Sequence, residues 1–476
     1  MRGDNWTAWK AKGPELLANC PFYTLGWFPA KTHGWNATMI EYDRKCEVYE
    51  YGYQIGHQAL LSLRPGEAFI RDAGNRGLHV NGKRMPDWEL LKAKVPNGDL
   101  VYVKDYLPGY NGGVVGNGTH RYAPNLSAGE LADGAEVYAN LASGQSPALR
   151  LKAGGKGLAV IPLTSPYVYL GGKVKLKAVR QADADVVSVA LSTNNGRTFK
   201  PLWQATKLGT EEAVIDLGEA VLRRYACMLK VEIAAANPDS AGLDELVIEN
   251  DIQHAPRTLP WLAEGKNVIT VAADANPVLA TRTVSCRITP DAKFDKNETT
   301  STMGAVFENL DVKDGSCWWT KGVGTMTIPI TTPGDITALR FGAQVRARGD
   351  KDVVAMRISF DDGKTWTDMA KIAGPTPGRT DYFRFTDVPP QTRAALVRYE
   401  LSGNNTIGVF SFRIDADYRD PLAPNAMRGF EVIHRWRENG QEKTHTQRID
   451  KLPTQYPITT AGVPEMASVT VRMPGK

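Results

Sequence analysis

The stretch SFDDGKTW, Ser359–Trp366, has a near-copy, STNNGRTF, at Ser192–Phe199. In SFDDGKTW the Asp-Gly step puts a glycine where a hairpin tip needs positive φ, beside an acid that bonds to nearby backbone amides. Ser359 and Asp361 serve the loop amides, Gly363 turns the chain, and Trp366 covers the hairpin base with its indole N–H in reach of a partner. The two copies stand 167 residues apart. That offset lays GLAVIPLTSP (Gly157–Pro166) on GTMTIPITTP (Gly324–Pro333) and holds without a gap through Asp185 on Asp352 to Thr198 on Thr365.

Small shifts carry the match further. VYANL (Val137–Leu141) meets VFENL (Val306–Leu310), and LVIENDIQHAP from Leu246 meets FSFRIDADYRDP from Phe410. A unit of this length, occurring over 134–303 and again over 304–476, is a tandem domain rather than a solenoid turn. Within it the apolar period is two: Val187, Val189 and Leu191 share one face, as do Val354, Met356, Ile358 and Phe360. Gly, Pro, Asn and Asp interrupt these strands at short intervals, the pattern of an antiparallel sandwich. The expected fold is mainly β: tandem antiparallel β-sandwich domains with smaller β domains, preceded by an aromatic-rich β region. The unrepeated region spans 1–133, sandwiches span 134–255 (with STNNGRTF) and 304–420 (with SFDDGKTW), and small β domains span 256–303 and 421–476.

Hydrophobic residues make up 42% and charged residues 23% of the 476, which argues against both disorder and membrane burial. No apolar run is long enough for a membrane span. The net charge of +5 is spread without like-charge blocks, so no nucleic-acid partner is expected. Five cysteines show no zinc spacing, and no dense carboxylate loop appears, so neither metal nor cofactor is read. Cys20 and Cys46 are the pair close enough for a local disulfide. The start, MRGDNWTAWK, lacks the apolar core of a secretory signal, which fits a cytoplasmic chain or the mature part of an exported one. Six N-x-[ST] sequons, Asn36 and Asn117 among them, fit the exported case, and an extracellular or cell-surface location is expected.

Residues 1–133 hold four of the seven histidines and nine of the seventeen tyrosines. Their segment YEYGYQIGHQALLSLRPGEAFIRDAGNRGLHVNGK alternates aromatics, turns at Arg64-Pro65-Gly66-Glu67 and ends in a polar cluster. Aromatic faces stack on pyranose rings while Arg, Asn and His serve hydroxyls and carboxylates. The candidate ligand-binding residues are therefore Trp27, Trp35, Tyr51, Tyr53, His57, Arg71, Asn75, His79 and Asn81. In an enzyme, Tyr53 or His57 would abstract the proton alpha to a uronate carboxylate, with Arg71 and His79 beside the developing charge. The competing reading is a sheet whose tyrosines pack a neighbouring domain. Cys20, His33 and Asp43 follow the order of a cysteine-nucleophile site, but Pro21 after Cys20 removes the helix start that activates such a thiol.

SFDDGKTW resembles the Asp box, S-x-D-x-G-x-T-W, of sialidases and other BNR-type proteins. In that family the boxes serve the fold, one per propeller blade, a spacing that two copies 167 residues apart do not give. YEYGYQIGHQALLSLRPGEAFIRDAGNRGLHVN, VVGNGTHRYAPNLSAG and NDIQHAPRTLP together resemble the region after the catalytic domain in large bacterial, planctomycete-type proteins with a transglutaminase-like domain. That resemblance implies an accessory β portion, and the family's Cys at a helix start has no counterpart here.

The reading that follows is an exported, non-catalytic multidomain β protein that binds polysaccharide or a cell-surface glycan, or self-assembles there. A polysaccharide lyase or glycoside hydrolase with its site in 1–133, and a structural lattice or filament subunit, are the alternatives.

Overall fold

The computed structural model describes residues 63–74, 100–101, 114–222, 224–254, 259–271, 279–285, 303–313, 317–404, 407–422 and 429–475. Strands β1 (Glu67–Asp72), β2 (Leu100–Val101) and β3 (Val114–Tyr122) precede a short helix, α1 (Glu130–Gly134). Then come β4 (Val137–Ala139), β5 (Leu141–Ser143), β6 (Leu149–Leu151), β7 (Gly155–Thr164), β8 (Val168–Arg180), β9 (Val186–Ser192), β10 (Lys200–Gln204) and β11 (Gly209–Asp216). Helix α2 (Gly218–Val221) leads to β12 (Ala226–Ala235) and β13 (Ala241–His254), followed by β14 (Gly265–Val271) and β15 (Leu279–Ser285). The next series is β16 (Val306–Glu308), β17 (Asp311–Lys313), β18 (Cys317–Thr320), β19 (Val323–Thr331), β20 (Ile336–Ala347), β21 (Val353–Ser359), β22 (Thr367–Ala373), β23 (Thr376–Phe385), β24 (Ala394–Ser402) and β25 (Ile407–Arg419). The last four are β26 (Phe430–Glu438), β27 (Gln441–Ile449), β28 (Thr454–Thr460) and β29 (Glu465–Arg472).

The period-two face at Val187, Val189 and Leu191 is buried, and it packs with Val174, Leu176 and Ile248 of the facing sheet into one core. That is how alternation builds a sandwich: each strand turns one side to the opposite sheet and the other to water. One sheet of the first sandwich runs β10-β9-β12-β7-β4, and the second sandwich repeats it as β22-β21-β24-β19-β16. The facing sheets also correspond, with β11-β8-β13 matched by β23-β20-β25. Val354, Met356 and Ile358 enter the second core with Phe341 and Ile414, and Phe360 packs at its edge.

Each sandwich takes one further strand from the sequence before it. β3 pairs with β13 at the end of the first sandwich, and β15 pairs with the same stretch of β25 in the second. The boundaries read at 134 and 304 therefore fall inside the sheets rather than between them. The segment 256–303 is not a domain of its own, because β15 goes to the second sandwich while β14 pairs with β28 of the C-terminal segment. Leu259, Ile269 and Val271 share a small core with Val432, Trp436, Ile458 and Val469, so the two expected small domains are one. β1 lies between β3 and β29 and joins the first sandwich's sheet to this C-terminal sheet. Among the described residues no helix is long and apolar enough to cross a membrane. Asn117 is wholly buried on β3, which removes it as a glycan acceptor in the folded chain.

Candidate functional site: a cavity between the sandwiches

The turn at Pro65-Gly66 sends β1 back along β3, and Gly66 at φ 79 faces the Ala123 carbonyl where no Cβ fits. Alternation then puts Glu67, Phe69 and Arg71 on the inward face, a charged–apolar–charged series that needs buried partners. Arg64 supplies the first. Its Nε and backbone N–H donate to Glu67 Oε2 (2.9 and 3.0 Å), and Nη2 donates to Oε1 (2.7 Å). Nη1 donates to the carbonyls of Gly134 (2.9 Å) and Pro162 (2.8 Å), and the guanidinium lies 4.1 Å from the centre of the Tyr122 ring. His120 completes the pairing, with Nε2 2.7 Å from Glu67 Oε1 and Nδ1 2.8 Å from the Tyr169 hydroxyl. Its ring stacks on Phe69 at 4.1 Å.

Burial pushes the Glu67 carboxyl up, but the charge of Arg64 and the bonds from His120 and Arg64 override it and hold it down at about 2. Burial also takes His120 below the usual imidazole range despite Glu67, and lifts the Tyr169 hydroxyl well above its own. Glu67 thus stays a carboxylate whose acceptor positions are all engaged.

This network opens on a cavity of about 180 Å³ where the sandwiches meet. Arg64, Glu67, Glu136 and Thr164 line it from one side, and Tyr418, Asp420 and Leu422 from the other. Arg282 of β15 ties the two sides: its Nη2 donates to Glu136 Oε2 at 2.5 Å and its guanidinium lies 5.9 Å from the Tyr418 ring centre. Asp420 Oδ1 accepts the Leu422 amide (2.9 Å). Burial first, and then the charges of Glu136 and Glu67, raise the Asp420 carboxyl above the usual range against the pull of Leu422 and Arg64. Asp420 and Glu136 each present to the cavity one carboxylate oxygen, Oδ2 and Oε1, that no hydrogen bond engages among the described residues.

Of the residues singled out in the sequence, Arg71 is described, and it is not a surface ligand: it is 2% exposed and donates through Nη1 to the Tyr167 hydroxyl (3.2 Å). Trp27, Trp35, Tyr51, Tyr53, His57, Asn75, His79 and Asn81 lie outside the described residues, as do Cys20, His33, Asp43 and Cys46. No grouping of three or more His, Cys, Asp and Glu is placed to hold a metal ion among the described residues. Glu136, Tyr418 and Asp420 were not singled out. For Asp420 the repeat itself carries a signal, since LVIENDIQHAP has Ala255 before its proline where FSFRIDADYRDP has Asp420.

In the hairpin, Ser359 Oγ donates to Asp361 Oδ1 (2.8 Å) and accepts the Gly363 amide (2.9 Å). Asp361 Oδ1 also accepts the Thr365 amide (2.9 Å), Oδ2 accepts the Thr365 hydroxyl (2.6 Å), and Trp366 Nε1 donates to the Gly363 carbonyl (3.0 Å). The Thr365 hydroxyl, its amide and the Ser359 hydroxyl hold the Asp361 carboxyl down to about 2. In the first copy Asn194 accepts from Ser192 and the Thr198 amide but donates through Nδ2 to Thr198 Oγ1 (2.8 Å). An amide therefore closes the same loop with one bond reversed. Asp361→Ala is expected to lower the melting temperature, and Asp361→Asn to lower it by less than half as much; equal losses for both would rule out this bonding scheme.

No family model matches the chain, and no curated protein matches it. Among solved structures, the tandem CBM22 modules of Paenibacillus barcinonensis Xyn10C align over 76% of this chain and 98% of their own at 8% identity and a TM-score of 0.25. A CBM61 module in complex with β-1,4-galactotriose covers 33% of this chain and 88% of its own (10% identity, TM-score 0.16). Allantoicase from Saccharomyces cerevisiae covers 62% and 93% (9% identity, TM-score 0.18). With TM-scores no higher than 0.25, these likenesses establish neither a family nor a ligand.

Proposed function

We propose that this chain is an exported, non-catalytic glycan-binding protein in which the two sandwiches form one array and the cavity between them receives a sugar residue. The observation that carries the reading is the lining: Asp420 offers a carboxylate oxygen to sugar hydroxyls, while Ala280, Pro333, Pro421 and Leu422 offer apolar surface to the C–H faces of a ring. Glu67 supports the non-catalytic half of the proposal, because a carboxylate saturated by Arg64 and His120 has no lone pair left for acid–base work.

The test is calorimetry against a panel of neutral plant and microbial oligosaccharides. A charged hydrogen bond contributes about 1.5–3 kcal/mol, so Asp420→Asn is expected to weaken binding roughly ten- to hundredfold. Because the Asp420 carboxyl is raised, it takes up a proton at higher pH than an exposed aspartate, and affinity falls on acidification earlier than an ordinary aspartate would make it fall. Absence of binding across the panel, or an Asp420→Asn variant of unchanged affinity, removes the reading.

A further inference from the structure

A second, smaller recess between the sandwiches, about 50 Å³, has the opposite electrical character. Two arginines, Arg197 and Arg224, line it with Asn195, Thr283 and Thr331, and none of its lining residues among those described is acidic. Arg197 projects from the STNNGRTF hairpin, and among the described residues no carboxylate pairs with it. Gly304, at φ 69, packs against that guanidinium so closely that a Cβ there would strike Nη2. The chain thus leaves room for Arg197 at the mouth of the recess. Arg224 is held in place by its Nε donating to the Ala220 carbonyl (2.9 Å) and its Nη1 to the Thr193 carbonyl (3.4 Å).

The two hairpins add an independent observation. SFDDGKTW, whose tip does not line this recess, carries Asp361 and Asp362; STNNGRTF, whose tip lines it, carries Asn194 and Asn195. The backbone does not require the exchange, since Asp362 and Asn195 sit at φ 59 and φ 57. At the first position the loop bonding does not require it either, because Asp361 and Asn194 both close their loops; at the second, Asn195 Nδ2 donates to the Thr283 carbonyl (3.1 Å), a bond an aspartate does not make. The change removes two negative charges where two guanidinium groups converge.

We infer that this recess binds a tetrahedral oxyanion, a sulfate or phosphate group, held by Arg197 and Arg224. The recess is of the order of one such group in size, and planar guanidinium forks match its oxygen geometry. Nothing in the inference depends on the sugar cavity.

Calorimetric titration with inorganic sulfate, at constant ionic strength set with chloride, tests it on the full chain. One-to-one binding is expected, weakened at least tenfold in Arg197→Gln and unchanged in Arg435→Gln, an exposed arginine on β26. Asn194→Asp is expected to weaken it as well, by returning a negative charge to a loop that closes equally with Asp361 in the second copy, and Asp420→Asn to leave it intact, which separates this site from the sugar cavity. Titration with glucose 6-sulfate and glucose 6-phosphate identifies the source: tighter binding than the inorganic ion marks a sugar ester, weaker binding the free anion. No sulfate or phosphate binding by the wild-type chain, or equal binding by folded Arg197→Gln, overturns the inference.

Discussion

Replacing Glu67 by glutamine lowers the stability of the folded chain by about 3–5 kcal/mol at pH 7, the cost of leaving a buried cation without its counter-ion. The amide is nearly the same shape, so packing around Phe69 and Tyr122 is retained and the loss reports the charge. Arg64 is 7% exposed and cannot move its guanidinium to water without giving up the carbonyls of Gly134 and Pro162. Urea denaturation measures the loss, and its pH dependence identifies the cause. An unfolded glutamate titrates near 4.5 and the folded Glu67 near 2, so as pH falls the unfolded chain binds the proton first. The stabilisation from this group, on the order of 3 kcal/mol, is complete above pH 4.5 and is lost as pH falls toward 2. Glu67→Gln has no such carboxyl, so its stability curve converges on the wild-type curve over that window. Removing both charges in Arg64→Met/Glu67→Leu is expected to recover part of the loss, though not all, because two carbonyls then lose their donor. A Glu67→Gln loss below about 1 kcal/mol, or curves that stay parallel down to pH 2, contradicts the assignment.

Much of this architecture is legible in the sequence because alternation and turn chemistry are local. Val187, Val189 and Leu191 declare a buried strand face wherever that strand lies, and Asp-Gly or Asn-Gly at a hairpin tip declares the turn on either side of the repeat. Strand partnership is not local. β3 and β15 occupy equivalent places in the two sheets, yet VVGNGTHRY and LATRTVS share little beyond a Thr that faces an Asp across the ladder, Thr119 with Asp251 and Thr281 with Asp417. The register of a strand is set by backbone bonds, which leave a weak side-chain record, and so in the sequence the repeat begins one strand late. The cavity was hidden for the same reason. Glu67, Glu136 and Asp420 lie far apart in the chain, and each reads alone as an ordinary surface acid. Arg71 shows the converse, since RDAGNR looks like a solvated polar cluster until β29 pairs with β1 and shuts the arginine inside.

The second large effect is expected where the sandwiches meet, and the repeat supplies its control. On β25, Arg413 Nε donates to Asp415 Oδ2 (2.8 Å), and Arg340 forks onto Asp417 through Nη2 (2.6 Å) and Nε (3.0 Å). β15 closes over both pairs: Thr281 Oγ1 donates to Asp417 (2.6 Å) and Thr283 Oγ1 to Asp415. Arg413 lies 5.0 Å from the ring centre of Tyr225 in the first sandwich, and Arg413 and Asp415 are 1% and 0% exposed. In the first sandwich the matching cross-strand pair is Glu249 opposite Lys173, as Asp415 stands opposite Arg340. There the acid meets Lys173 (3.5 Å), Lys175 (3.1 Å) and Arg121 (3.5 Å) at the surface. Position and charge pattern are the same, and burial differs. Asp415→Asn is therefore expected to cost about 3–5 kcal/mol, because Arg413 remains buried without a full counter-charge, whereas Glu249→Gln costs less than about 1 kcal/mol in water and salt. Hydrogen exchange adds a positional readout: in Asp415→Asn, protection falls first at the β15 amides that pair with β25, while β9 and β12 keep theirs. Equal costs for the two variants would mean that burial does not set the strength of these pairs. Unchanged exchange at β15 would mean that the Thr and Asp bonds do not fasten it, and that the sandwiches are held together by other contacts.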